Sequence, residues 1–250
     1  MKKIILISIC CLPFIGYSQK PVNAFVPKPE AKAENKSDTI LTKDPLNPNR
    51  YYCVMHNFKG ILKAQGFMLN GKKDGAWREY NEASGVISKI TEYNNGVQQG
   101  ASLSFNNNGA LLTEETYLND KKNGQRCTYG NFGGRMKVLE TFKEDVLEGI
   151  KKTFYDDGKI QEEGAYKNGK REGVVKWFLQ NGNPTMEYSY SDGELQGPAK
   201  VFDDKGRLKL QGDYKNNNEE GEWKEYQDSL LVKKIIYKQG QIVKEVPVKK

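Results

Sequence analysis

The sequence predicts an all-β fold, an open and elongated repeat sheet of stacked β-hairpins with a period of about 24 residues. Three observations predict it. A glycine recurs at Gly75, Gly100, Gly124, Gly149, Gly173, Gly197 and Gly221, at spacings of 24 or 25 residues. An aromatic residue stands five positions after each of them, at Tyr80, Phe105, Tyr129, Phe154, Phe178, Phe202 and Tyr226. A turn pair precedes each glycine: Asn70-Gly71, Asn95-Gly96, Asn119-Asp120, Glu144-Asp145, Asn168-Gly169, Asp192-Gly193 and Asn216-Asn217. Asn-Gly and Asp-Gly pairs favour two-residue hairpin turns with positive φ at both positions.

Along the chain, the first element is MKKIILISICCLPFIGYS, residues 1–18. Lys2 and Lys3 form a basic start and Ile4 to Ile15 an apolar run, too short to span a bilayer. This pattern is that of a cleaved signal peptide, and the expected product is exported: periplasmic, cell-surface or secreted. A lipoprotein would need a small residue before Cys10 or Cys11, where Ile9 and Cys10 stand. Residues 19–50 carry five prolines and one aromatic, Phe25. Such a stretch buries too little apolar surface to offset its ordering entropy, so a disordered linker is expected.

The repeat domain is expected over 51–245. Each unit reads as strand, tight turn, strand and looser turn, the looser turns carrying Gly85, Gly109, Gly133, Gly158, Gly182 or Gly206. Seven residues before each anchor glycine stand Met68, Tyr93, Tyr117, Phe142, Tyr166, Tyr190 and Tyr214. Thirteen before it stand Leu62, Ile87, Leu111, Met136, Ile160, Pro184 and Leu208, with Leu231 in the last unit. These two columns share parity and should face one side of the strand. The anchor glycine either makes room for a ring on the neighbouring strand or forms a bulge, and a bulge would flip the parity beyond it. Tyr52 to Leu69 reads as a degenerate half-unit with His56 in the ring column, and Tyr237 as an incomplete eighth unit with Lys244 in place of the glycine. Residues 246–250 form a tail.

The copies GFMLNGKKDGAWREY, YKNGKREGVVKWF and GDYKNNNEEGEWKEY resemble the membrane occupation and recognition nexus (MORN) repeat in its bacterial variant form. The resemblance covers about residues 52 to 244. Its tryptophan site is filled by Trp77 and Trp223, and elsewhere by Ser102, Arg126, Lys151, Val175 and Ala199. It implies a twisted rod of single-sheet hairpins that mediates binding or assembly. Some bacterial variants are antitoxin-like, which implies a cytoplasmic role at odds with export.

The chemistry-bearing residues point away from catalysis. His56 is the only histidine, and the ring column accounts for it. No Cys or His cluster has metal-ligand spacing, so neither metal nor cofactor is expected. Asp145, Glu148 and Asp157 fit no calcium-loop pattern and read as solvated turns. Beyond the signal only Cys53 and Cys127 remain; three units apart, about 29 Å at 4.8 Å per strand, they cannot bridge and are expected as buried thiols. Without Lys2 and Lys3, 37 basic residues face 32 acidic ones, a spread charge of +5 unlike a nucleic-acid footprint.

Three positions after the anchor stand Arg78, Leu103, Cys127, Lys152, Lys176, Lys200 and Lys224. Arg78 and the four lysines are the candidate ligand row. They read as solubilising an open face or as tracking anionic lipid head groups or an anionic glycan. The expected function is a non-catalytic, exported scaffold for a protein partner. The rival is the anionic-ligand binder, with an antitoxin-like protein as a further alternative. The oligomeric state is left open.

Overall fold

In the computed structural model, residues 38–131 and 134–248 are described. The signal segment, residues 19–37 of the linker and Gly133 lie outside them. The described residues form 19 strands in one open antiparallel sheet with no helix. In chain order these are β1 (Thr39–Asp44), β2 (Asn47–His56), β3 (Leu62–Leu69), β4 (Lys72–Tyr80), β5 (Ile87–Asn94), β6 (Val97–Phe105), β7 (Leu111–Leu118), β8 (Lys121–Tyr129), β9 (Met136–Lys143), β10 (Val146–Leu147), β11 (Gly149–Phe154), β12 (Ile160–Lys167), β13 (Lys170–Phe178), β14 (Pro184–Ser191), β15 (Glu194–Phe202), β16 (Leu208–Lys215), β17 (Asn218–Gln227), β18 (Leu230–Lys238) and β19 (Gln241–Pro247). β10 and β11 both pair with β9 and make one strand interrupted at Glu148. Every other strand pairs with its neighbours in sequence, so the sheet is one long meander. At about 4.8 Å per strand its contour is roughly 80 Å.

The sheet begins earlier than the sequence suggests. β1 and the start of β2 lie inside the stretch expected to be a disordered linker, which corrects the boundary from 50 to before Thr39. Thr39 to Thr42 alternate β-prone side chains, and Pro45-Leu46 turns the chain back onto β2. At the other end β19 takes Val246 and Pro247 from the predicted tail.

The tight turns form as expected. Both residues of all seven pairs have positive φ, from Asn70 (50°) and Gly71 (77°) to Asn216 (50°) and Asn217 (66°). Asp228-Ser229 and Gln239-Gly240 add two turns of the same kind. Each turn also joins the preceding unit. The amides of Gly96, Asp120, Asp145, Gly169, Gly193, Asn217 and Gly240 donate to the carbonyls of Lys73, Gln98, Lys122, Leu147, Arg171, Leu195 and Glu219. Glu148, Glu172 and Glu220 accept from the turn amides of Asn168, Asp192 and Gln239, and Asp145 accepts from Lys122 N. These carboxylates cap the turn edge, and Asp157 likewise accepts from Lys159 N.

The anchor glycines are bulges. All seven have φ between 70° and 114°. Gly173, Val174 and Val175 together oppose Gly164, between the pairs Glu163–Lys176 and Ala165–Glu172. The excess is two residues, so side-chain parity survives and the expected flip does not occur. The residue eight before each anchor satisfies the loosened backbone where it can. Glu92 accepts from Ala101 N, and Thr141 and Ser189 donate to the carbonyls of Ile150 and Pro198.

Parity flips elsewhere, at a one-residue bulge in the first strand of each unit. Tyr80 pairs with Ile87 whereas Glu79 pairs with Lys89, leaving Ser88 extra. Paired residues share a face and adjacent ones oppose it, so Ile87 and Tyr93 point to opposite faces. The expectation that these two columns share a side is corrected on this ground. His56 pairs with Leu62 in the same way, which places it in the ring column.

Candidate interaction surface

The register sorts side chains onto two faces. One carries all three tryptophans and the rings of the Tyr93 column. Along its middle runs a line of opposed residues: Cys53, Gly66, Trp77, Thr91, Ser102, Glu115, Arg126, Glu140, Lys151, Gly164, Val175, Tyr188, Ala199, Gly212, Trp223 and Ile235. This line supplies most of the buried positions; Trp77, Thr91, Ser102, Val175, Ala199 and Trp223 are each at most 2% exposed. The seven rings of the Tyr80 column are only half-buried.

The line is complementary in size and charge from strand to strand. A Cβ on Gly66, Gly164 or Gly212 would stand 2.7, 2.8 or 2.2 Å from Trp77, Val175 or Trp223, so these glycines, not the anchors, make room for the large side chain. Tyr188 beside Ala199 reverses the order of large and small. In mid-sheet the line turns ionic. Arg126 bridges Glu115 (3.0 Å) and Glu140 (3.3 Å), and Lys151 reaches Glu140 at 3.2 Å. Apolar clusters flank this segment, around Cys53, Ala64 and Trp77 on one side and Ala199, Trp223 and Ile235 on the other.

Cations lie over the flanking rings and roof the line. Lys73 Nζ is 4.9 Å from the centres of Trp77 and Tyr93, and Arg171 is 5.5 Å from Trp177 and 5.4 Å from Tyr190. From Trp177 the rings continue through Tyr188, Tyr214, Trp223 and Tyr237, 5.2 to 5.9 Å apart, edge-on except for the tilted Tyr188–Tyr214 pair. Burial raises the phenol pKa of Tyr214, and the nearby Glu219 carboxylate adds to it. Tyr117 is pushed up to about 12, by burial first and then by the hydrogen bond and charge of Glu115.

The predicted ligand row lies on the opposite face, and its surroundings differ from the expectation. Units aligned column on column place the lysines side by side, but each unit contributes two strands. In register the row reads Lys152, Glu163, Lys176, Glu187, Lys200, Gln211, Lys224, Lys234. Lys152 pairs with Glu163 at 3.2 Å, and Lys176 and Lys200 share Glu187 at 3.7 and 3.8 Å. Lys224 meets Glu222 at 3.7 Å. Arg78 stands apart, separated from Lys152 by Ile90, Leu103, Glu114, Cys127 and Leu139. The candidate row of cations is thus corrected: it alternates in sign from Lys152 to Lys200 and continues through the neutral Gln211 to Lys224 and Lys234. Shallow depressions of about 250 and 220 Å³ lie between Lys152 and Lys176 and between Lys200 and Lys224.

On this face Gln211 donates to the Tyr226 hydroxyl at 2.9 Å, Gln65 likewise to Tyr80, and Tyr129 donates to Glu114 at 3.2 Å. Cys53 and Cys127 are both buried thiols, on opposite faces. His56 sits half-buried at its bulge. Lys73, Lys122 and Arg171, three of the cations that lie over rings, escaped the sequence reading although they share one repeat position, two before the anchor.

No curated protein matches this chain. Two adjacent stretches, 147–168 and 171–192, match the family model described as MORN repeat variant. The turns, bulges and central line of those stretches recur along the described sheet, so its hairpins are similar throughout to the two that match the MORN repeat variant.

Proposed function

We propose that the protein is an exported, non-catalytic scaffold that binds an extended protein partner along its sheet. The alternating row Lys152, Glu163, Lys176, Glu187, Lys200 carries this reading. A surface that presents both signs at strand spacing complements a partner that also carries both signs, which is a protein. A polyanion or an anionic membrane gains from cations and loses against each interleaved carboxylate. The apolar run of residues 4–15 supports a role outside the cytoplasm.

The test is capture by crosslinking in the native envelope, beside a variant with Lys152, Lys176, Lys200 and Lys224 all changed to Gln. The wild type should capture a protein, the variant should capture the same protein less well because the cations of the row are gone, and neither should sediment with vesicles containing anionic lipid at physiological salt. Vesicle or polyanion binding that disappears in the quadruple variant would replace this reading with that of an anionic-ligand binder.

A further inference from the structure

We propose that copies of this chain join head to tail, the β19 edge of one pairing antiparallel with the β1 edge of the next, so that the sheet continues from copy to copy. This goes beyond partner binding on the faces and does not depend on it.

With β10 and β11 counted as one strand, the described sheet has an even number of strands, so its two edge strands run in opposite directions. A second copy translated along the sheet therefore meets β19 antiparallel, as β5 meets β4. The repeat position matches too. β2 carries the one-residue mismatch at His56 that β4 carries at Tyr80, so β1 is the first strand of a unit. β19 follows a tight turn and is the second strand of a unit. The joint would be another copy of an interface the sheet already makes within itself.

Hydrogen bonding fixes the register. Asp38 O accepts from His56 N, so by alternation Thr39, Leu41 and Lys43 turn their backbone groups outward. Val248 N donates to Val232 O, which leaves Glu245 outward on the other edge. Leu41 and Glu245 are also the residues at which the central line meets the two edges, opposite Cys53 and Ile235. Setting Leu41 against Glu245 aligns the line, both faces and the outward backbone groups at once. It then places Ile40 opposite Val246, an apolar pair, and brings Glu245 diagonal to Lys43 and Lys244 diagonal to Asp44. Two copies of β19 centred at the same point would instead oppose Glu245 with Glu245.

The edges are exposed and apolar enough to use. Leu41 is 54% exposed, Val243 63%, and Leu46, in the turn beside β1, 94%. Such edges are ordinarily blunted in proteins that remain monomeric. Pro247 withholds one amide from the joint, so association should be reversible and weaker than the internal interfaces.

The experiment is sedimentation velocity on the full chain from about 1 to 200 µM, with the variants Ile40→Glu and Val246→Lys. Both changes lie on edges whose outer side has no neighbour among the described residues, and circular dichroism checks that the sheet is kept. The wild type should sediment faster as concentration rises. Each variant alone should lose that dependence. An equimolar mixture should regain it, because the intact β1 of one variant fits the intact β19 of the other. A wild type that stays monomeric throughout overturns the proposal. So does association blocked by only one of the two changes, which would mean that like edges pair.

Discussion

If the glycines of the central line exist to admit large side chains, Gly212 and Trp223 should be strongly coupled. A Cβ at position 212 would lie 2.2 Å from Trp223 Cδ2 and 2.3 Å from Cγ, well inside ordinary contact. The indole cannot retreat cheaply. It is 2% exposed, it packs edge-on against Tyr214 and Tyr237, and its Nε1 donates to Asp213 O. Overpacking of this kind costs about 1 to 3 kcal/mol, and the closeness of the contact puts Gly212→Ala near about 3. The backbone there is not left-handed, so with the ring gone the same alanine should be neutral or stabilise by about 0.4 to 1 kcal/mol. Trp223→Ala alone should cost about 3 to 5 kcal/mol. The double variant should then be no less stable than Trp223→Ala, a coupling of roughly 3 kcal/mol measured by denaturant unfolding followed by circular dichroism. Gly173→Ala is the control: nothing lies within 4 Å of its Cβ, and only its φ of +75° is at stake, about 1 to 2 kcal/mol. If Gly212→Ala and Trp223→Ala add to within about 0.5 kcal/mol, size complementarity does not hold the line together.

Glu144 opens its turn at φ 51°, a conformation that Asn adopts at five of the other six tight turns singled out in the sequence. Glu144→Asn should raise stability by roughly 0.5 to 1 kcal/mol, since the exposed contact with Lys121 that it removes is worth little; an unchanged or lower denaturation midpoint would contradict this. Tyr117, Tyr129 and Tyr214 all have raised phenol pKa values, with burial the first cause in each. Their contribution to stability is complete below the unfolded value near 10 and is lost as pH rises toward the folded values, so the sheet should unfold progressively above about pH 10. Absorbance titration should show a late tyrosine fraction that joins the rest in denaturant, and a single transition near 10 in the native protein would refute it.

The turns were legible because two consecutive residues at positive φ admit little besides Gly, Asn and Asp. The anchor bulges were legible as positions that need glycine, though not as bulges. The buried line was not legible, because no single column is constant. Ser102, Arg126, Lys151, Val175 and Ala199 look unrelated until each is set beside Thr91, Glu115, Glu140, Gly164 and Tyr188 on the neighbouring strand. The signal lies in pairs eleven residues apart, such as Gly66 with Trp77 and Gly212 with Trp223. The lysine row misled for a related reason. Aligning whole units compared only the second strand of each, and Glu163 and Glu187 on the first strands fell out of view. The face of Ile87 was hidden by the extra residue Ser88, which leaves no mark on the repeat period.

The change in the central line from apolar to ionic has a mechanical consequence. A seam of tryptophan, valine and isoleucine coheres whatever the electrolyte around it. A seam of Glu115, Arg126, Glu140 and Lys151 slackens as ions screen it. Pulled or bent along its length, the molecule should therefore yield first at its waist, and the force at which it yields should depend on the saltiness of its surroundings while the two ends stay taut.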